Sequence, residues 1–194
     1  MQDTDRGIVL RRMAHSLIAL APLYYLLPVE MPVSPIRRWH LLIAFFIIIM
    51  ILEAVRLRRG ITFLGLRPHE AHSIASFVWA AAGITFALWL MPMDIAVPVL
   101  IGMGLVDPLV GELRRTGARP AASISAPLLV YALICVATLL MMTEKDLVTI
   151  LAVSCFGAFL AVGAERLDLP VIDDDFLMIV VPGSLMSFMW LYAL

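Results

Sequence analysis

Charge is scarce in this chain: charged residues make up 15% of its 194 positions, while 62% are hydrophobic. A soluble domain of this length needs more polar surface than that, so the composition excludes one. Mean hydropathy is +0.99. Net charge is only −1 at pH 7, so no basic field points to nucleic acid. Cysteine is nearly absent. Cys135 and Cys155 both sit inside apolar runs. Two such residues make neither a disulfide framework nor a zinc pattern, and they read as packing residues. No internal repeat, low-complexity tract or soluble domain stands out. The N-terminus does not read as a cleaved signal, because Asp3 and Asp5 sit among its few charges and no small-x-small site follows the first apolar run.

What is present is apolar sequence in blocks. Segments 8–28, 40–57, 73–92, 95–111, 121–142, 147–164 and 176–194 each approach the length that crosses a bilayer. The expected fold is therefore all-α, a polytopic integral membrane helical bundle of about seven transmembrane helices forming one domain over residues 1–194. Pro92, Pro120 and Pro170 fall in the connections, where proline costs no helix bond. Basic residues are distributed unevenly. The N-terminus and the loops after even-numbered spans carry Arg6, Arg11, Arg12, Arg56, Arg58, Arg59, Arg67, Arg114, Arg115, Arg119 and Arg166. The other side has Arg37, Arg38 and Lys145. That bias places the N-terminus in the cytoplasm, in a cell membrane or an endoplasmic-reticulum-type membrane.

The acids crowd the same side: Glu53, Glu70, Asp107, Glu112, Glu165, Asp168 and Asp173–Asp175, beside His15, His69 and His72. Arg12 and His15 are spaced i, i+3, as are Glu53 and Arg56, so each pair shares a helix face. Ionisable groups at membrane depth normally face a polar cavity or a partner. Four helices thus bring charge toward one cytoplasmic pocket. Asp107-Pro108 is a good cap and first-turn pair, which predicts a helix break that restarts at Pro108 with free N–H groups aimed at phosphate. Gly102, Gly104 and Gly111 would allow close approach. Asp173, Asp174 and Asp175 repel one another unless a cation or arginines neutralise them. Oxygen ligands of this kind suit Mg²⁺, and carboxylates, arginines and Mg²⁺ together are the parts of phosphoryl transfer.

Each feature also has a plain structural use, and sequence leaves both open. Arg11 and Arg12 can be membrane anchors, Glu53–Arg56 a helix-end ion pair, Asp107 a cap, and the three aspartates a solvated loop. His69 and His72 lack zinc spacing and read as loop residues. Tyr24, Tyr25, Trp39 and Trp190 read as interfacial aromatics.

In order along the chain, Arg11-Arg12-x-x-His15, Glu53-x-x-Arg56, Gly104-x-x-Asp107-Pro-x-x-Gly111, Glu165 and Ile172-Asp-Asp-Asp175 resemble the polyprenol kinase family. That family includes dolichol kinase, phytol kinase and CTP-dependent diacylglycerol kinase. The resemblance runs from residue 11 to about 182. It implies a lipid-alcohol kinase using a nucleotide, CTP, with Mg²⁺ or a similar divalent cation. The lipid would enter sideways from the bilayer and the nucleotide from the cytoplasm. Asp107, Glu165 and Asp174 would be the catalytic acids, and Asp107 with Asp173–Asp175 the metal ligands. Arg11, Arg12, His15, Arg56, Gly104, Gly111, Arg114 and Arg119 would meet nucleotide and phosphate, with Glu53 in support. The family's Lys-Ser/Thr-x-Glu-Gly element has no counterpart in Arg119–Ser125. A CDP-lipid-type cytidylyltransferase and a non-enzymatic transporter or membrane subunit are the rival readings. The first lacks its long basic–acidic signature. A transporter would have inverted repeats and midplane charges.

Overall fold

In the computed structural model, residues 2–32, 35–63, 65–167, 169 and 172–192 are described, without the side chains of residues 2–6, 8, 68 and 69. Asp168, Pro170 and the side chains of Asp3, Asp5, Arg6 and His69 therefore lie outside the described residues. Among the described residues seven α-helices follow one another: α1 Gln2–Ile18, α2 Arg38–Arg59, α3 Ser76–Leu90, α4 Met93–Arg115, α5 Ala122–Met142, α6 Leu147–Ala164 and α7 Asp174–Tyr192. A single bridge, Glu30 to Arg37, is the only strand-like pairing among the described residues.

Five of these helices, α2 and α4 to α7, are long and apolar enough to cross a membrane. Of the seven spans expected, five have that length and apolarity among the described residues. Helix α3 is apolar but has 15 residues, about 22 Å of helix against a hydrocarbon core of ~30 Å. The first apolar segment is not one helix. Helix α1 stops at Ile18, and a 3₁₀ turn, Ala21–Leu26, follows. The cause is Pro22, whose ring would clash with the carbonyl four residues back, that of Ile18.

Helices α4, α5, α6 and α7 pack in sequence, and α7 closes back on α4. Helix α3 lies on α7, α1 lies on α4, and α2 touches chiefly α3. Their directions alternate, so the N-terminal ends of α1, α3, α5 and α7 share one end of the bundle with the C-terminal ends of α2, α4 and α6. Between helices the close approaches are made by glycine. A Cβ at Gly102 would strike the Tyr131 ring, and one at Gly104 would strike the backbone nitrogen of Ala19. Small residues at helix contacts are what membrane bundles use, because lipid gives helices no hydrophobic reason to associate. Outward faces carry Ile47, Ile48, Ile51 and Leu52 on α2 and Leu129 and Leu133 on α5, all exposed. Such surfaces suit a bilayer and would be costly in water.

Helix α4 corrects a second expectation. It runs unbroken through Asp107 and Pro108. Asp107 therefore caps nothing, and α4 presents no set of free N–H groups there. The local preference of Asp-Pro loses to packing, because Met103, Val106 and Val110 are buried on the same helix. Proline inside a membrane helix is tolerated when neighbours support it. Gly104 and Gly102 serve helix contact, and Gly111 lies under the Arg12 guanidinium.

Candidate functional site

The shared polar end of the bundle holds a cavity of about 900 Å³. Arg11 of α1, Arg67 of the α2–α3 connection, Arg114 of α4 and Arg166 after α6 line it, with Glu165, Asp173 and Asp174. Among the described residues four arginines face three carboxylates. Trp79 supplies an aromatic wall and packs edge-on against Phe176 at 5.8 Å.

The three aspartates are not an extended loop. Asp174 and Asp175 open α7, and the Asp175 N–H donates to Asp173 Oδ1 at 3.2 Å. Asp173 thus caps α7. Helix geometry then sends the three carboxylates in different directions. Arg67 spans the first two, with Nη1 3.3 Å from Asp173 Oδ2 and Nη2 3.6 Å from Asp174 Oδ1. Asp175 turns inward, is 1% exposed, and meets His15 Nε2 at 2.9 and 3.0 Å. The other ring nitrogen, Nδ1, donates to the Arg11 carbonyl at 2.7 Å. Both nitrogens therefore face acceptors, so a proton must lie between the ring and Asp175. Asp107 Oδ2 stands 3.9 Å from the same Nε2. Burial, reinforced by Asp174 and Asp175, raises the affinity of the Asp173 carboxyl for its proton.

Glu165 follows α6 and is buried. One oxygen meets Arg114 Nη2 at 2.6 Å. The other, Oε2, is buried and has no hydrogen-bond partner among the described residues. Burial pushes this carboxyl up to about 7, against the pull of Arg114.

Other expected site residues have different company. The Arg56 guanidinium donates to both Glu53 oxygens at 2.7 Å, to Glu70 O at 3.0 Å and to Ser73 O at 2.6 Å. Glu53 Oε1 also accepts from Ala75 N at 2.9 Å. This pair fastens the α2–α3 connection to α2, as a buried form of the helix-end ion pair. Arg12 pairs with Glu112, which Arg115 shares. Arg119 is exposed and lies outside the cavity lining, as do Gly104 and Gly111. Arg11 has no ion pair or side-chain hydrogen bond among the described residues. Sequence reasoning missed Arg67, Arg166 and Trp79 as cavity residues, and the His15–Asp175 pair. No spacing signals them, because they come from segments far apart in the chain.

Among the described residues two sets of side chains have ligand atoms close enough for one cation: Asp173 with Asp174 and Asp175, and His15 with Asp107 and Asp175. Only the first is all oxygen, the donor set that Mg²⁺ takes. Asp173 and Asp174 fit that ion best, since Asp175 is committed to His15.

Comparison with family models, curated proteins and solved structures gives no match to this chain. Fold and site together define an all-helical membrane bundle with a mixed-charge cavity at one end.

Proposed function

We propose that this protein is a membrane lipid-alcohol kinase that crosses the bilayer seven times with its N-terminus and polar cavity in the cytoplasm. The observation that carries the reading is the position of Arg11. It lines the arginine–carboxylate cavity and also a separate apolar pocket between α1, α2 and α3. A phosphate-bearing nucleotide suits the first compartment and a lipid the second. They adjoin where a transferring phosphoryl group would need an uncommitted guanidinium. The resemblance to polyprenol kinases supports CTP as donor.

In this reaction the lipid hydroxyl oxygen forms a bond to the terminal phosphorus of CTP. The bond from that phosphorus to the bridging oxygen breaks, and CDP leaves. Mg²⁺ held by Asp173 and Asp174 would supply neutralisation of the phosphate charge. Asp107, beside the His15–Asp175 pair, accepts the hydroxyl proton. Arg11, Arg114 and Arg166 stabilise charge on the phosphoryl oxygens. His15 orients Asp175 rather than touching phosphate.

Purified protein in lipid nanodiscs, given labelled CTP or ATP and a panel of lipid alcohols, tests this directly. Transfer to lipid, better from CTP, is expected. Arg11→Gln should lower turnover about 10²–10³-fold. Asp107→Asn should lose orders of magnitude while remaining folded. Absence of transfer from either nucleotide to any lipid alcohol would sink the kinase reading, and an active Asn variant would remove Asp107 as the base.

A further inference from the structure

Two apolar chambers of about 380 and 370 Å³ lie between α1, α2 and α3. They share Ala14, Ile18, Phe45 and Ile84 as walls, so they form one cleft. It is open sideways, because α2 rests on α3 and α1 rests on α4, with no extended contact between α1 and α2. Along α3 the cleft runs from Phe77 to Leu88, about 16 Å of helix and roughly half of the hydrocarbon core. One end is wholly apolar but for Tyr24. The other carries the polar residues Arg11, His15, Glu70, Ser76 and Asp175.

We infer that this cleft holds the hydrocarbon chain of a single-chain lipid alcohol, with its hydroxyl at Arg11 and the His15–Asp175 pair. The hydroxyl's identity as the reacting group rests on the kinase reading; the chain site does not. An open apolar cleft within a bilayer fills with hydrocarbon rather than water. Ordinary boundary lipid would lie against any outer face equally, including those of α5 and α6. Here the cleft ends on the buried His15–Asp175 pair and on the half-buried Arg11 guanidinium, which a bare chain would leave without a protein or ligand partner. A hydroxyl both donates and accepts. It can take a bond from Arg11, whose side chain has no other partner among the described residues, and give one to a carboxylate. Polar end at the membrane face and apolar end toward the interior is how a lipid of the same leaflet already lies. Each chamber is at the small end of ligand pockets, which suits one chain. A diacyl lipid would leave its second chain outside.

The test needs no nucleotide. Full-length protein in phosphatidylcholine nanodiscs is irradiated with a long-chain fatty alcohol carrying a diazirine, and labelled peptides are mapped. Labelling should concentrate on α1–α3, at residues such as Phe45 and Ile84. Farnesol and hexadecanol should compete about tenfold better than dioleoylglycerol. Ala14 is exposed in the cleft, so Ala14→Phe narrows it without entering the core and should cut labelling about tenfold. Leu133→Phe, on the lipid-facing side of α5, should leave labelling unchanged. Label spread evenly over outward faces, or equal competition by dioleoylglycerol, overturns the inference. Cleft labelling without phosphoryl transfer to any alcohol keeps the chain site and removes the kinase reading. Transfer without cleft labelling does the reverse.

Discussion

Glu53 and Glu165 are both buried carboxylates, and their surroundings assign them opposite work. Every bond Glu53 needs is made, by Arg56 and by the Ala75 N–H. Glu53→Ala would leave the Arg56 guanidinium buried with half its partners lost. A loss of about 3–5 kcal/mol is expected, the cost of breaking a buried pair from one side. Thermal denaturation in detergent reads it; a stable variant with weaker nucleotide affinity would instead make the pair part of the site. Glu165 is half satisfied. Its folded pKa stands near 7, above an ordinary 4.5. The folded state therefore holds a proton that the unfolded state has released between those values. Stability from this group is full below about 4.5 and is lost as pH rises toward 7. Asp173 acts in the same direction. Glu165→Gln should flatten the wild-type decline by up to one proton, at most ~1.4 kcal/mol per pH unit. Equal slopes in the two proteins would show that Glu165 is ionised throughout. The i, i+3 spacing made the Glu53–Arg56 pair legible in sequence. Its ties to Ser73 and Ala75 were not, because nothing local says where a connection folds back.

Helix α4 shows where local reading fails among the elements. Asp107-Pro108 has the residue types of a helix start, yet the helix continues. Capping preference amounts to about 1 kcal/mol, and α4 is held by contacts with α1, α5 and α7 along its length. Pro108 removes one donor, the one that would have reached the Gly104 carbonyl. Pro108→Ala should restore that bond, raise thermal stability modestly and leave turnover intact. Loss of turnover with an intact fold would revive a functional break. Gly104→Val tests the same helix one turn earlier. Its side chain would drive α1 from α4 at Ala19, and α1 carries Arg11, Arg12 and His15. Stability and any activity should fall together. The blocks 121–142 and 147–164 were read from sequence within a residue, since uniform apolarity leaves packing nothing to override. The first block was not, because Pro22 outweighs an apolar run.

For the molecule as a whole, charge placement and helix direction agree without depending on each other. The ion pairs Arg12–Glu112, Arg67–Asp173 and Arg114–Glu165 tie α1, the α2–α3 connection, α4, α6 and α7 at a single end. Arg38 against Tyr24 and Tyr25, and Lys145 against Trp190, mark the other end. That one end gathers the polar groups was legible in the order of the loops. Which groups meet there was not, because the cavity draws on five separate segments. The arginine bias predicts which side of the membrane the polar end faces. Cysteines replacing Arg59 and Thr116, both exposed at the polar end, should react with impermeant maleimide only when the cytoplasmic face is open. A cysteine replacing Glu144, exposed at the opposite end, should react from outside in intact cells. The native thiols do not interfere, since Cys135 is buried and Cys155 lies mid-helix within α6. Labelling of Arg59 and Thr116 variants from opposite faces would break the alternation itself. Labelling of both from outside would keep the fold but turn the cavity away from cytoplasmic nucleotide, and no CTP-dependent reaction could then run at this site.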